Sequence, residues 1–145
     1  MIRICKELLN STRLSASCTP RICKIASISP AASNLFSISG KSRPENTGKF
    51  FSPVIDWVAK FEEELSSRNN EPAGNPAVVF IFKMEYFNSI SAKYLLDIIL
   101  MLKDFIDKGY KINIEWHFSK FDDDMLDTGK EFSTMVNLKF DFISH

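Results

Sequence analysis

Apolar residues recur along the chain with two different periods, and segments of one period follow segments of the other. Residues 77–82 form a continuous apolar run, and residues 110–118 alternate apolar with polar side chains. Both patterns are typical of β-strands. Residues 50–65 and 89–108 instead repeat their apolar side chains at helical spacing. Strands that alternate with helices favour a mainly parallel sheet with right-handed crossovers.

The N-terminal part of the chain predicts an antiparallel addition to this sheet. Residues 21–29 and 35–39 have the composition of strands, and the turn-forming residues between them predict a β-hairpin. Residues 1–18 are expected to form a poorly ordered arm, as chain termini commonly do. The folded domain is therefore expected to span residues 19–145.

The helical segments have recognisable ends. Either Ser52 caps the first helix with Pro53 at its first position, or that helix begins near Asn46 and kinks at Pro53. Gly109 is expected to end the second helix in a left-handed conformation. The acidic run 122–124 is expected to begin a third helix, which a last strand follows. The predicted fold class is α/β, a mixed sheet in which the N-terminal hairpin precedes the order αβαβαβ.

The apolar run 77–82 carries a further expectation about layers. Because it is apolar at successive positions, it predicts a central strand that is covered on both sides. Beyond this run, Met84 and Tyr86 are expected to share one face, since side chains two apart on a strand point the same way. The strand is thus expected to become half exposed as it approaches Asn88.

Composition narrows the classes of function. The 145 residues carry a formal net charge of zero, which provides no global attraction for nucleic acid or for an anionic membrane. No apolar run reaches the length of about 18 residues that a membrane span needs. The three cysteines fit no zinc spacing and are interpreted as reduced thiols of a cytoplasmic protein. With only two histidines, neither a metal nor a cofactor is expected.

Candidate chemistry concentrates in the polar stretch 86–93, between the apolar run and the second helix. There Ser89 directly follows Asn88, which can orient the junction through its side-chain amide. One interpretation is that Ser89 is a cap or a first-turn residue of the helix. The other is that Ser89 is a phosphorylation switch. A phosphate on its hydroxyl would add about −1.5 to −2 charge at pH 7. A positive helix end tolerates that charge, whereas a docked partner would be repelled. Ser91 is the second candidate hydroxyl.

Two further possibilities stay open at this point. A small hydrolase would require His117 to lie within hydrogen-bond reach of a serine hydroxyl, although no Gly-x-Ser-x-Gly motif is present. Next to the junction, Leu96, Leu100 and Met101 widen the apolar surface of the second helix beyond a normal stripe. They either belong to a deeper core or form a surface that a partner contacts.

Several motifs, in this order, resemble the SiaC family of bacterial regulatory phosphoproteins. They are Ser-Gly-Lys-Ser-Arg-Pro-Glu-Asn at 39–46, Ile-Asp-Trp at 55–57, Tyr-Phe-Asn-Ser-Ile-Ser-Ala-Lys at 86–93 with Leu-Asp-Ile at 96–98, and Glu-Trp-His-Phe at 115–118. The resemblance runs over nearly the whole chain. Where Ser89 stands, the family often has threonine, and both residues carry a hydroxyl that can be phosphorylated.

The resemblance implies a fold similar to STAS domains and a role in partner switching without catalysis. In that family a serine/threonine kinase phosphorylates the protein and a PP2C-type phosphatase reverses the modification. The unphosphorylated form binds and activates a diguanylate cyclase or another signalling effector. The implied phosphorylation site is Ser89, with Ser91 as the second candidate. The partner-binding residues are expected to be Arg43, Pro44, Glu45, Asn46, Asn88, Leu96, Leu100 and Met101.

Overall fold

The computed structural model describes residues 2–7, 34–42, 45–68 and 77–145. These residues form five strands and three helices: β1 (Ile2–Glu7), β2 (Asn34–Ser42), α1 (Thr47–Arg68), β3 (Val78–Phe87), α2 (Ser89–Asp107), β4 (Ile112–Phe118), α3 (Asp123–Val136) and β5 (Asp141–Ser144). The strands lie in one sheet in chain order, with β1 antiparallel to β2 and all later neighbours parallel. The predicted α/β class, with a mixed sheet and the order αβαβαβ after β2, is confirmed.

The first strand of the sheet differs from the one that the sequence predicts. Residues 21–29, the predicted first strand of the hairpin, lie outside the described residues. The strand that pairs antiparallel with β2 is β1, which places Ile4 opposite Ile38. It lies within residues 1–18, where a poorly ordered arm was expected. Pairing with β2 supplies backbone hydrogen bonds to these residues. The residue types of a terminal segment do not reveal that such a pairing forms.

The three helices lie on one face of the sheet. Each right-handed crossover from β2 to β5 steps in the same direction, which places successive helices on the same side. Burial agrees, since Val78, Phe80 and Phe82 are buried whereas Val79 and Ile81 are only partly covered. The prediction that 77–82 is covered on both sides was therefore wrong for the described elements. A continuous apolar run does not reveal the strand order that decides where helices lie.

An aromatic core centred on Trp116 holds α3 against β4. The Trp116 indole is fully buried. Its ring centroid lies 5.9 Å from that of Phe82 and 5.6 Å from that of Phe132. Its Nε1–H donates to the Met125 carbonyl oxygen at 3.0 Å. Gly129 lies so close that a Cβ there would be 2.6 Å from the indole ring. The absence of a side chain at Gly129 is what permits this approach of helix to strand.

Helix α1 resolves the two interpretations of Pro53. The helix begins at Thr47 and contains Pro53, so its start agrees with the second interpretation. The Asn46 side chain accepts a hydrogen bond from the Lys49 backbone N–H at 2.9 Å, which satisfies one of the free N–H groups at the helix start. Asn46 therefore fixes the beginning of α1.

Candidate functional site

An irregularity in β3 sets the direction of the chain as it enters α2. Gly40 pairs with Met84 but Lys41 pairs with Tyr86, so Glu85 is an extra residue on β3. Such a bulge reverses which side chains face the core. Met84 is buried and Tyr86 is 48% exposed. The Phe87 ring packs against the Trp116 ring, with the ring centroids 6.3 Å apart. The prediction that Met84 and Tyr86 share a face was wrong, because the extra residue shifts the alternation by one position.

Asn88 is the residue that caps α2. Its backbone is extended, with φ −85° and ψ 170°, and its Oδ1 accepts from the Ser91 backbone N–H at 2.8 Å. Its carbonyl oxygen accepts from the Ala92 N–H at 2.9 Å, which is the first bond of the helix. Ser89 is therefore a first-turn residue, which is one form of the first interpretation, and the capping bond is made by Asn88.

Ser89 lies on the surface at the positive end of the helix. Its side chain is exposed, and Phe87 and Asn88 anchor the preceding backbone through packing and capping. The first turn of α2 contains no acidic side chain. A negative charge placed at this position would be stabilised by the helix dipole by about 0.3–1 kcal/mol. The position thus combines accessibility, a defined backbone and tolerance of added negative charge.

Ser91, the second candidate, lies in a different environment. It is fully buried, and its Oγ accepts a hydrogen bond from the Ser42 hydroxyl at 2.7 Å. Its backbone N–H is occupied by Asn88. A kinase would have to open the first turn of α2 to reach this hydroxyl. The structure therefore separates the two serines, leaving Ser89 outside and Ser91 inside.

The predicted partner-binding residues fall into two groups. At the end of the sheet, Glu45 and Asn46 are exposed beside the start of α1, and Arg43 and Pro44 lie outside the described residues. Along α2, Leu100 is 41% exposed, whereas Leu96 and Met101 are partly buried against the core. Helical spacing places Leu96 and Leu100 on the same side of α2 as Ser89, and Met101 on another side. Leu100 lies about 16 Å along the helix from Ser89.

Three exposed apolar side chains near the junction were missed by the sequence reasoning. Tyr86 is 48% exposed, Ile90 is 60% exposed and Phe121 is 92% exposed. Because β3 and β4 are parallel neighbours, the segments that follow them emerge at the same sheet edge. Phe121 therefore lies at the edge that carries Ser89. The available signal was an isolated aromatic residue between Lys120 and the acidic helix start.

His117 lies apart from Ser89. Its Nε2 is 2.9 Å from the Glu115 Oε2, and both side chains lie on the sheet face opposite to buried Trp116. The helices, including α2, pack on the Trp116 face. The structure thus does not bring together the Ser89–His117 pair that the hydrolase alternative requires.

Among the described residues, no three His, Cys, Asp or Glu side chains are grouped as a metal site would need. Likewise, none of α1, α2 and α3 is long and apolar enough to cross a membrane.

The capping bond of Asn88 is expected to contribute to the stability of the protein. Replacing Asn88 with alanine removes the acceptor for the Ser91 N–H, and the free energy of unfolding is expected to fall by about 0.5–2 kcal/mol. Ser89→Ala removes no capping bond and is expected to change it by less than about 0.5 kcal/mol. Urea denaturation followed by circular dichroism measures both. If Ser89→Ala lowered the free energy of unfolding as much as Asn88→Ala does, Ser89 would have to be the capping residue instead.

Both a sequence relative and solved structures from Pseudomonas aeruginosa resemble this chain. An uncharacterized protein of strain UCBPP-PA14 is 26% identical over 109 residues, which is 75% of this chain and 79% of that protein. The crystal structure of the diguanylate cyclase SiaD in complex with its activator SiaC contains a chain with a TM-score of 0.64 at 25% identity. That match covers 77% of this chain and 84% of that chain.

Apo-SiaC from the same organism has a TM-score of 0.59 at 26% identity, covering 77% of this chain and 81% of its own. The family model described as SiaC family regulatory phosphoprotein matches residues 17–145. That range contains β2 to β5, all three helices and the capped junction at Asn88. The chain therefore belongs to the SiaC family of regulatory phosphoproteins.

Proposed function

We propose that this protein is a non-enzymatic partner-switching regulator that is controlled by phosphorylation of Ser89. The unphosphorylated form binds and activates an effector, a diguanylate cyclase. A serine/threonine kinase adds a phosphate to Ser89 and prevents binding, and a PP2C-type phosphatase restores it. The observation that carries the proposal is the exposed Ser89 hydroxyl at the first helical position of a junction that Asn88 already caps.

The division of labour between Asn88 and Ser89 supports a modifiable hydroxyl. Because the Asn88 side chain satisfies the Ser91 N–H, the fold does not need the Ser89 hydroxyl as a cap. Phosphorylation therefore removes no capping bond, and the added charge lies at the favourable end of the helix dipole. The modified protein stays folded and can return to the unmodified state.

The apolar surroundings of Ser89 explain how the phosphate acts on a partner. An effector that covers the exposed Ile90, which directly follows Ser89 in the chain, would also cover the Ser89 hydroxyl. A phosphate there carries about −1.5 to −2 charge at pH 7. Removing such a charge from water without a compensating partner costs several kcal/mol. Phosphorylation thus converts an apolar contact surface into one that the effector cannot desolvate.

The partner surface in this proposal surrounds the junction. It contains Glu45 and Asn46, the cap residue Asn88, the α2 residues Leu96, Leu100 and Met101, and the newly identified Tyr86, Ile90 and Phe121. Arg43 and Pro44 are assigned to it from the sequence alone. The complex of P. aeruginosa SiaC with a diguanylate cyclase supports this class of effector for a chain that shares its fold. A diguanylate cyclase effector would use GTP, which supports a cytoplasmic location for the proposed pathway.

The proposal is tested by locating the modification. The protein is incubated with ATP and the serine/threonine kinase of its pathway, and the products are analysed by intact-mass and peptide mass spectrometry. We expect one phosphate, on the peptide that contains Ser89. The Ser89→Ala variant should stay unmodified, whereas Ser91→Ala should be modified like the wild type.

A phosphate on an unrelated residue, or none at all, would overturn the assignment. The alternative would then be a constitutive STAS-like scaffold that binds its partner without a phosphorylation switch. That alternative predicts equal effector binding before and after incubation with the kinase and ATP.

A further inference from the structure

A buried pair of serine hydroxyls joins the end of β2 to the start of α2. Ser42 and Ser91 are almost completely buried although they are 49 positions apart in the chain. The Ser42 hydroxyl donates to the Ser91 Oγ at 2.7 Å. Buried hydroxyls are rarely left without a partner, because removing one from water without a hydrogen bond is unfavourable. Each serine therefore supplies the partner that makes burial of the other possible.

This pair continues into the cap of α2. Ser91 is the third helical residue, and its backbone N–H donates to the Asn88 Oδ1 at 2.8 Å. A chain of two hydrogen bonds thus runs from Ser42 through Ser91 to Asn88. Ser89 lies between the last two members. The position of its backbone depends on both of them.

The starts of α1 and α2 pack against each other beside this chain. The Phe51 and Tyr94 rings stack with centroids 5.2 Å apart and an interplanar angle of 2°. A Cβ at Gly48 would be 3.0 Å from the Tyr94 hydroxyl oxygen, so the first turn of α1 approaches α2 closely. Tyr94 follows Ser91 by three residues, which is about one helical turn. The end of β2, the start of α1 and the start of α2 therefore form one packed corner.

We propose that Ser42 is a positioning residue for Ser89, and that its bond to Ser91 couples Ser89 to the partner-binding residues Glu45 and Asn46. The inference rests on the proposed phosphorylation of Ser89. A negative group on the Ser89 side chain attracts the free N–H groups of the first helical turn. It attracts the Ser91 N–H without replacing Asn88 as its acceptor, and any shift of Ser91 is passed to Ser42. Ser42 lies three residues before Glu45, so the partner surface responds on both sides of the junction.

The test uses the protein alone and an aspartate at position 89 as a permanent negative group. Backbone amide resonances of Glu45, Asn46 and Lys49 are followed by ¹⁵N–¹H NMR in the wild type, Ser89→Asp, Ser42→Ala and the double variant. We expect Ser89→Asp to shift the Glu45 and Asn46 resonances. In the Ser42→Ala background the same substitution should leave them unchanged. Amide exchange of Ser91 should also become roughly fivefold faster in Ser42→Ala, the factor expected for one lost hydrogen bond.

Ser66 provides a matched control. Its hydroxyl forms a hydrogen bond with the Tyr110 hydroxyl, also at 2.7 Å, near the other end of α1. Ser66→Ala removes a serine hydrogen bond without touching the junction, so the response of Glu45 and Asn46 to Ser89→Asp should persist. If Ser42→Ala does not fold, Ser91→Ala removes the same bond from its other member and is measured instead.

Two results would overturn the coupling. One is that the single substitution Ser89→Asp, made in the otherwise wild-type protein, leaves the Glu45 and Asn46 resonances unchanged. The other is an unchanged response in the Ser42→Ala background. Since no kinase or effector is used, the coupling can fail while mass spectrometry still finds phosphate on Ser89. The reverse outcome, a coupled corner without phosphate on Ser89, refutes the proposed function instead.

Discussion

Ser89→Asp is expected to abolish binding to the effector while the protein stays folded. The side chain at position 89 is exposed at the first position of α2, where the helix dipole favours a negative charge. The free energy of unfolding is therefore expected to stay the same or to rise by about 0.3–1 kcal/mol. Far-ultraviolet circular dichroism and urea denaturation measure this part of the prediction.

The loss of binding has a different origin. An effector seated on the exposed Ile90 would have to desolvate the new carboxylate next to it. An uncompensated charge at such an interface costs several kcal/mol, which corresponds to a loss of affinity of about 100-fold or more. Titration calorimetry against the cyclase, together with the rate of cyclic di-GMP formation, measures the effect.

Asn113→Asp is the matched control for added charge. Asn113 is exposed on β4, at the edge of the sheet opposite to Ser89, and the substitution adds one negative charge without changing the size of the side chain. We expect Asn113→Asp and Ser89→Ala to bind the effector like the wild type. Equal binding by Ser89→Asp and the wild type would show that the switch does not lie at this position.

Gly129→Ala is expected to destabilise the protein, although alanine is the better helix former. In an exposed helix this substitution would stabilise by about 1 kcal/mol. Here the new Cβ would lie 2.6 Å from the Trp116 ring, which is buried and held by its bond to the Met125 carbonyl. Overpacking of this kind costs about 1–3 kcal/mol, and more when the neighbour cannot move. We expect a net loss of about 2 kcal/mol, or about 4–8 °C in Tm.

Glu131→Ala provides the comparison within the same helix. Glu131 is exposed on α3, so its replacement by alanine should change the free energy of unfolding by less than about 0.5 kcal/mol. Near-ultraviolet circular dichroism should report a changed Trp116 environment in Gly129→Ala and an unchanged one in Glu131→Ala. A Gly129→Ala protein as stable as the wild type would mean that α3 can move away from β4 at little cost.

Much of the architecture was predictable because it follows from local patterns. The helical spacing of α2 and its stop at Gly109, whose φ of 95° is left-handed, are read from neighbouring residues. The alternation in β4 likewise matches the buried Ile112, Ile114 and Trp116. These features depend on residues within a few positions of each other, so no knowledge of the tertiary fold is needed.

The candidate site was predictable in part. The polar stretch with Asn88, Ser89 and Ser91 pointed to a strand–helix junction, and the motif resemblance selected Ser89. Which residue caps the helix was not decided by composition, since asparagine and serine are both good caps. Placement of the extra residue Glu85 in β3 decided it, because the bulge turns Phe87 into the core and leaves Asn88 at the cap position.

The sequence by itself determined the order of elements, the ends of α2 and the position of the hydroxyl-bearing junction, since each is encoded in local spacing and residue chemistry. Tertiary structure alone decided that the helices share one face, that Ser91 is buried on Ser42, and that Ile90 and Phe121 lie exposed at the edge that carries Ser89. These facts depend on strand order and on contacts between residues far apart in the chain. Periodicity within a segment carries no information about either.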